Sequence, residues 1–323
     1  MKWESFPKKV RIVEVGPRDG LQNEKKVIPT ADKVALVELL KKAGHQSIEV
    51  TSFVRPDRIS QMADASAVFE GVKSLEDENC RLISLVPNMK GLEVAKKQGV
   101  KEIAVFTASS DSFNQKNINA TISQSFERIE PVVEEAIKAN IKVRGYVSTA
   151  FGCPYEGEIQ AEKVREVGLR LYKLGCYEIS LGDTIGTGTP LSVRNVLEEV
   201  LKDIDSSRLA LHFHDTRALA LSNVLTGLEY GISVFDASTG GLGGCPYAKG
   251  ATGNLATEDL IYLLNSLGID TGVDLDSQVK ASVFIHDLLE RKTNSKFLQA
   301  YLNAKNDKDF KANFFYPYPK KSD

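Results

Sequence analysis

Two histidines stand two residues apart in the run LALHFHD, His212 and His214. In an extended strand such a pair shares one face with Ala210, while Leu209, Leu211 and Phe213 share the other. Two imidazoles on one face, joined by a carboxylate, form the donor set of a divalent-metal site. Asp19 is the candidate carboxylate, with Arg18 beside it, in the turn GPRDGLQN that follows the first β-like run. With no thiolate pattern, the set suits an octahedral Mg²⁺ or Mn²⁺ that keeps positions open for water or substrate, Mn²⁺ tolerating nitrogen better; Zn²⁺ is the alternative. The other two histidines, His45 beside a helix end and His286 within a helix, read as surface or packing residues.

Further polar residues interrupt apolar strand patterns. Glu49 lies in SIEVTS, where strict alternation puts it on one face with Thr51; Arg144 and Tyr146 share a face of KVRGYVS; EISLGDT ends in Asp183 and Thr184. A glycine-rich stretch, STGGLGGCPYAKGATGN, carries Cys245 at its centre. On spacing alone it is equally a surface loop with an incidental thiol or a lid carrying a proton donor or nucleophile, since a free thiol titrates at about 8.5 and needs little tuning to exchange a proton at neutral pH. No phosphate-loop pattern is present in it.

Something must hold these residues at one place, and the alternation of short β-branched runs with longer amphipathic ones supplies it. Eight strand candidates begin at Val10, Ser47, Cys80, Glu102, Lys142, Glu178, Leu209 and Val234. Helical patterns separate them, such as ADKVALVELLKKAG and LSVRNVLEEVLKDI, the latter with Thr189 as cap and Pro190 in the first turn. Gly44, Gly99, Gly175 and Gly231 each close a helix just before a strand. Eight βα units predict an α/β fold, a (β/α)8 TIM barrel, with chemistry at the carboxyl ends of its strands. The barrel is expected over residues 1–268. Residues 269–323 form a C-terminal extension, with a helix near Ser277–Thr293 and an aromatic, Lys-rich tail, packed on the barrel or at a subunit interface.

Composition narrows the partners. Forty-one Lys and Arg against 43 Asp and Glu leave a net charge of −2, and there is no basic stripe, which argues against nucleic acid or a membrane surface. No apolar run reaches the roughly 18 residues that a membrane span needs. Four cysteines, at 80, 153, 176 and 245, form no C-x-x-C pair, and MKWESFPKK has no apolar signal core. Free thiols in a cytoplasmic protein are the expectation.

The segments VEVGPRDGLQNE, IEVTSFV, PNMKG, RGYVS, GCPYEG, CYEISLGDTIG, HFHD and GGLGGCPYAKGATGNLATEDL together resemble the 3-hydroxy-3-methylglutaryl-CoA lyases. These are metal-dependent TIM-barrel enzymes with an R-D-G turn after strand one. The related condensing synthases usually read D-T-T-x-R-D-G-E-Q at that turn. The similarity runs from about Val10 to Thr293. It implies retro-Claisen cleavage of the thioester to acetyl-CoA and acetoacetate, the last step of leucine breakdown, by a homodimer. It implies that Asp19, His212, His214 and Asn254 hold the divalent cation, that Arg18 stabilises the enolate, that Glu49 orients Arg18, and that Cys245 protonates the departing carbanion. Asp19 and His212 are also candidates for taking the hydroxyl proton, as is a metal-bound water. Gln22, Arg144 and Asp183 join Arg18 as expected substrate-side residues, and Lys25, Lys26, Arg55, Arg58, Lys90 and Lys249 are candidate cations for the CoA phosphates.

Two departures bear on acyl-chain specificity. The familiar H-D-T-Y-G after strand seven is HDTRA here, with Arg217 and Ala218, and Thr107 stands where a glycine is common. The rival readings are a lyase for a longer 3-hydroxyglutaryl-CoA of terpenoid catabolism and a condensing synthase or 2-oxo-acid aldolase on the same barrel.

Overall fold

The computed structural model describes residues 3–244 and 253–305. Eight parallel strands close on themselves in chain order: β1 Arg11–Glu14, β2 Ser47–Ser52, β3 Arg81–Leu85, β4 Glu102–Ala108, β5 Lys142–Ser148, β6 Glu178–Asp183, β7 Leu209–Phe213 and β8 Val234–Ala237. Pairing of β1 with β8, from Arg11 opposite Val234 to Glu14 opposite Ala237, completes the ring. This is the (β/α)8 barrel that the eight units predict.

Alternation within each strand sorts residues to two sides. Val13, Val15, Ile83, Leu85, Ala104, Tyr146, Ala210 and Val234 form one apolar cluster, the barrel interior. Their sequence neighbours Ile12, Ile103, Val147, Leu211 and Phe235 belong to the larger layer between strands and helices. Strand β2 departs from the rule. Its pairing with β3 shifts register between Glu49 and Thr51, so Thr51 does not share the face of Glu49 as alternation predicts; its hydroxyl instead contacts Met62 Sδ at 3.9 Å. A bulge of this kind adds a residue and resets the parity beyond it.

The helices are α1 Thr30–Lys42, α2 Ala65–Val72, α3 Met89–Gln98, α4 Asp111–Ile118, α5 Ile122–Lys138, α6 Ala161–Leu174, α7 Pro190–Val200, α8 Ala220–Glu229, α9 Thr257–Ser266, α10 Leu275–Leu289 and α11 Lys296–Lys305. Thr189 caps α7 through the Ser192 N–H, with Pro190 at the first position, as expected. Gly44, Gly99, Gly175 and Gly231 all take positive φ. None of the described helices is long and apolar enough to cross a membrane.

Helix α4 has no counterpart in the eight-unit reading. Ser110 caps α4 and Thr121 caps α5 in a reciprocal capping box, so two short signals divide what reads as one crossover. Thr107 pins both to β4: its hydroxyl contacts Ser125 Oγ at 2.7 Å and accepts from Asn114 Nδ2 at 3.0 Å. Thr107 thus faces the helix layer.

Beyond the barrel, α10 packs against α1 and α9, and the buried His286 of α10 meets the loop after β8. A Cβ on Gly240, whose φ is 58°, would lie 2.1 Å from His286 Cε1, so only glycine fits that approach. His45 is equally buried, bonded to Gln278 of α10 at 2.7 Å. Both histidines are packing residues, not surface ones.

Ala218 carries a φ of 57° in the exposed turn after β7. This left-handed conformation costs an L-residue about 1–2 kcal/mol, which explains a glycine preference at this point of the motif. Replacing Ala218 by glycine is expected to raise unfolding free energy by roughly 0.5–1 kcal/mol, after the extra entropy of an unfolded glycine is deducted. Urea titration of the two proteins measures it, and a lower midpoint for Ala218→Gly would refute the strain.

Candidate active site at the barrel mouth

Past β1 the chain makes one wide π-type turn, Gly16–Gly20, in which the N–H groups of Arg18 and Gly20 both bond the carbonyl of Val15. The turn is held from beneath by Glu14, whose carboxyl accepts from Gly16 N at 2.7 Å, Thr239 N at 2.9 Å and Thr257 Oγ1 at 2.6 Å. Burial pushes the Glu14 carboxyl up to about 8, with the hydrogen bonds from Thr257, Thr239 and Gly16 opposing and Glu258 adding to the rise. Gly16 must be glycine, since a Cβ would stand 2.6 Å from Glu14 Oε1.

The turn delivers Arg18 and Asp19 to the mouth. Arg18 donates to Glu49 Oε2 at 2.7 Å and to Asp19 Oδ1 at 2.9 Å, while Gln22 Oε1 lies at the outer limit of bonding, 3.5 Å. Tyr146 donates to the same Glu49 oxygen at 3.2 Å. Burial works against the charge on Arg18, but Glu49 and Asp19 outweigh it and hold the guanidinium protonated. Glu49 is raised by its own burial, with Arg18 as the main opposing influence.

Asp19, His212 and His214 each place a donor atom within 4.8 Å of the others. Asp19 Oδ2 also accepts from Asn254 Nδ2 at 2.8 Å, and Asn254 is bridged to His214 through the backbone. Burial would raise Asp19, yet Arg18 and the two imidazoles lower it below the usual carboxylate range. Burial, reinforced by His212, pulls His214 down to about 4, so it is a neutral, ligand-competent imidazole at neutral pH. His212 goes the other way: burial opposes its protonation, but Asp236 and then Asp19 raise it. Asn254 Oδ1 and His214 Nδ1 are buried without a hydrogen-bond partner. One carboxylate, two imidazoles and a spare amide oxygen fit a divalent cation.

Three expected substrate-side residues sit elsewhere or on a rim. Arg144 has no exposed surface; its Nε donates to Glu178 at 2.7 Å and its two Nη atoms to Asp236 at 2.7 and 3.1 Å. It lies inside the barrel under Tyr146, 4.8 Å from that ring's centre, with Nε and both Nη atoms donating to carboxylates. Arg144 is therefore a buried partner of these carboxylates, away from the lining of the main cleft. Asp183, at the end of β6, is buried and turned to the loop that follows. Both its oxygens accept backbone N–H groups of the following loop, from Thr187 at 2.9 Å and Gly188 at 3.0 Å. Burial lifts Asp183 to about 6 against those two bonds. Lys25 is exposed beside a smaller cleft of about 330 Å³ that Arg291 and Gly244 also line.

The main cleft, about 740 Å³, spans from Arg18, His212 and His214 to a wall of Phe106, Phe113 and Ile129. Arg55 and Arg58 reach it as expected, and so do Lys116 and Arg128 from α4 and α5, which sequence reasoning missed along with α4. Arg55 is tied to Asp57 and Lys26 to Glu290. Arg217 donates to the carbonyls of Ile185 and Gly186. Asp236 and Glu178 were missed too, although each is a charge within an apolar strand, the signal that singles out Glu49. Cys245 and Lys249 lie outside the described residues.

Comparison with known proteins agrees with this geometry. The HMGL-like family model matches residues 9–285. Two lyases of Rattus norvegicus are each 53% identical to this chain: a mitochondrial hydroxymethylglutaryl-CoA lyase over 92% of this chain and 90% of its own length, and a cytoplasmic 3-hydroxy-3-methylglutaryl-CoA lyase over 93% and 87%. The solved structure of an HMG-CoA lyase from Acenitobacter baumannii, in complex with coenzyme A and 3-methylmalate, superposes with a TM-score of 0.87 at 36% identity, covering 97% of this chain and 98% of that one.

Asp19→Ala is expected to weaken Mn²⁺ binding beyond the roughly 10–100-fold typical of losing an outer-shell partner. Asp183→Ala should leave Mn²⁺ binding unchanged while costing about 2 kcal/mol of stability or more through two orphaned buried N–H groups. Calorimetric titration and urea melts separate the two; Mn²⁺ binding lost with Asp183 would overturn the assignment.

Proposed function

This chain belongs to the HMGL-like family, and from that premise we propose that it is a carbon–carbon lyase cleaving 3-hydroxy-3-methylglutaryl-CoA to acetyl-CoA and acetoacetate. The observation that carries the reading is the convergence of Asp19, His212 and His214 beside a guanidinium fixed by Glu49. Asp19, His212, His214 and Asn254 would hold a divalent cation, Mg²⁺ or Mn²⁺, which supplies Lewis-acid polarisation of the substrate hydroxyl and so eases loss of its proton.

The remaining work falls to side chains of this protein. Breaking the bond between C2 and C3 moves negative charge onto the thioester oxygen. A guanidinium already oriented by Glu49 and Asp19 meets that charge without reorganising, which stabilises the transition state more than the ground state. Tyr146 braces Glu49 and so holds Arg18 at second hand. The enolate carbon then needs a proton before the reaction reverses, and we assign that donor to Cys245, which follows Gly244 in the sequence. Arg58 and Lys116 on the main cleft and Lys25 on the smaller one are the cations that would meet the CoA phosphates.

A homodimer in the cytoplasm completes the proposal, with leucine breakdown as the route. Cys80, Cys153 and Cys176 are free thiols, in keeping with a reducing compartment. The longer-chain alternative has less support than the sequence suggests, because Thr107 faces the helix layer and Arg217 is spent on loop carbonyls.

Chelator-treated protein should lose its lyase activity and regain it with Mn²⁺ or Mg²⁺, with kcat/KM higher for 3-hydroxy-3-methylglutaryl-CoA than for an isohexenyl homologue. Full activity after verified metal removal would sink the cation's role, and the reverse preference would replace the substrate. In Arg18→Met, kcat is expected to fall by about 10²–10³ or more with KM little changed, since the partner charge exists only in the transition state. Steady-state kinetics read the split; a change confined to KM would make Arg18 a simple binding residue.

A further inference from the structure

The two histidines of the mouth are held differently. His214 has a buried Nδ1 with no hydrogen-bond partner, whereas His212 Nδ1 lies 3.2 Å from Asp236 Oδ2. Asp236, on β8, is 1% exposed and cannot turn. Arg144 Nη2 donates to its Oδ1 at 2.7 Å, while Arg144 Nη1 at 3.1 Å and Ser180 Oγ at 2.9 Å donate to the Oδ2 that faces His212. Arg144 is itself anchored to Glu178, its register partner on the neighbouring strand β6.

An ionised carboxylate is an acceptor only, so the hydrogen between Asp236 and His212 belongs to Nδ1. A neutral imidazole carries one N–H, and its lone pair is then on Nε2, the nitrogen left for the cation site. From these contacts we infer that Asp236 is a positioning residue, which fixes the tautomer and ring orientation of His212 and so presents Nε2 to the divalent cation. Ser180 and the Arg144 fork act one step further out by holding Asp236. No sequence motif of the mouth includes this aspartate; strand pairing brings it there, by setting His212 opposite Asp236 across β7 and β8. His214 has no such anchor, so the dependence on Asp236 belongs to one ligand of the pair.

The inference rests on the cation reading above, and the two can fail separately. Mn²⁺ affinity of the full-length protein is measured by electron paramagnetic resonance of free Mn²⁺, and the His212 tautomer by nitrogen NMR of histidine-labelled, metal-free protein. Native protein should show His212 protonated at Nδ1. Asp236→Asn should bind Mn²⁺ roughly 10–100-fold more weakly and lose the single tautomer. In a His212→Ala background the same change should cost no further affinity, because the residue it acts through is gone. Ser180→Ala, which removes one hydrogen bond and leaves the charges in place, should show a smaller loss in the same direction and carries the test if Asp236→Asn does not fold. Unchanged Mn²⁺ affinity in both variants, or an equal loss with and without His212, overturns the inference. A native protein that binds no Mn²⁺ would defeat the cation reading, while the tautomer measurement would still decide for or against Asp236.

Discussion

A guanidinium with no exposed surface sits at the centre of the barrel, and a buried charge of that kind persists only when paired. Arg144 is clasped between Glu178 and Asp236 and covered by the ring of Tyr146. Leaving one partner out would strand a charge at a cost of about 3–5 kcal/mol, so these strands are obliged to meet in one register. The column continues in both directions: Glu178 also binds Arg11 towards the base, and Asp236 reaches His212 towards the mouth. The same inward positions that elsewhere carry Val13, Ala104 and Ala210 are here given to charge. The interior is thus a polar axis with an apolar lining, and the mouth site stands on top of it.

The outer side of the strands has its own buried acids. Glu14 faces the helix layer and holds the R-D-G turn and Thr239; Glu258 of α9 accepts from Gly240 N and from Gln278 and Ser282 of α10. Burial raises both carboxyls, against the hydrogen bonds each receives. Through them α10, which follows the barrel in sequence, fixes the start of the glycine-rich loop. The C-terminal extension and the turn that carries Arg18 are therefore two ends of one hydrogen-bonded assembly.

The strands and most helices could be read from the sequence because periodicity and helix-closing glycines are local signals. So could Arg18 and Asp19, just past the end of a strand, and Glu49, His212 and His214, polar residues that interrupt apolar strand patterns. What failed was parity and pairing. Asp183 lies at a strand end but turns to the loop that follows, and Thr51 follows a bulge that alternation cannot register. Arg144 shares the inward face of Tyr146, yet its depth depends on which strands surround it. Asp236 becomes a neighbour of His212 only when β7 and β8 pair in register. These are facts of register between strands, and a single strand does not encode them.

The donor set also explains why the site carries so little negative charge. Asp19 is the one carboxylate among the proposed ligands; His214 is held neutral by burial and the amide of Asn254 is uncharged. Arg18 draws on the second oxygen of Asp19, which further weakens that carboxylate as a donor. A divalent ion bound there would therefore remain strongly electron-withdrawing, where two or three carboxylates would have neutralised it. Glu49 does not undo this, because its nearest positive partner is the guanidinium. The chain's net charge of −2 is consistent with that arrangement: with no global excess of positive charge, attraction for a polyanionic thioester would have to be built locally at the mouth.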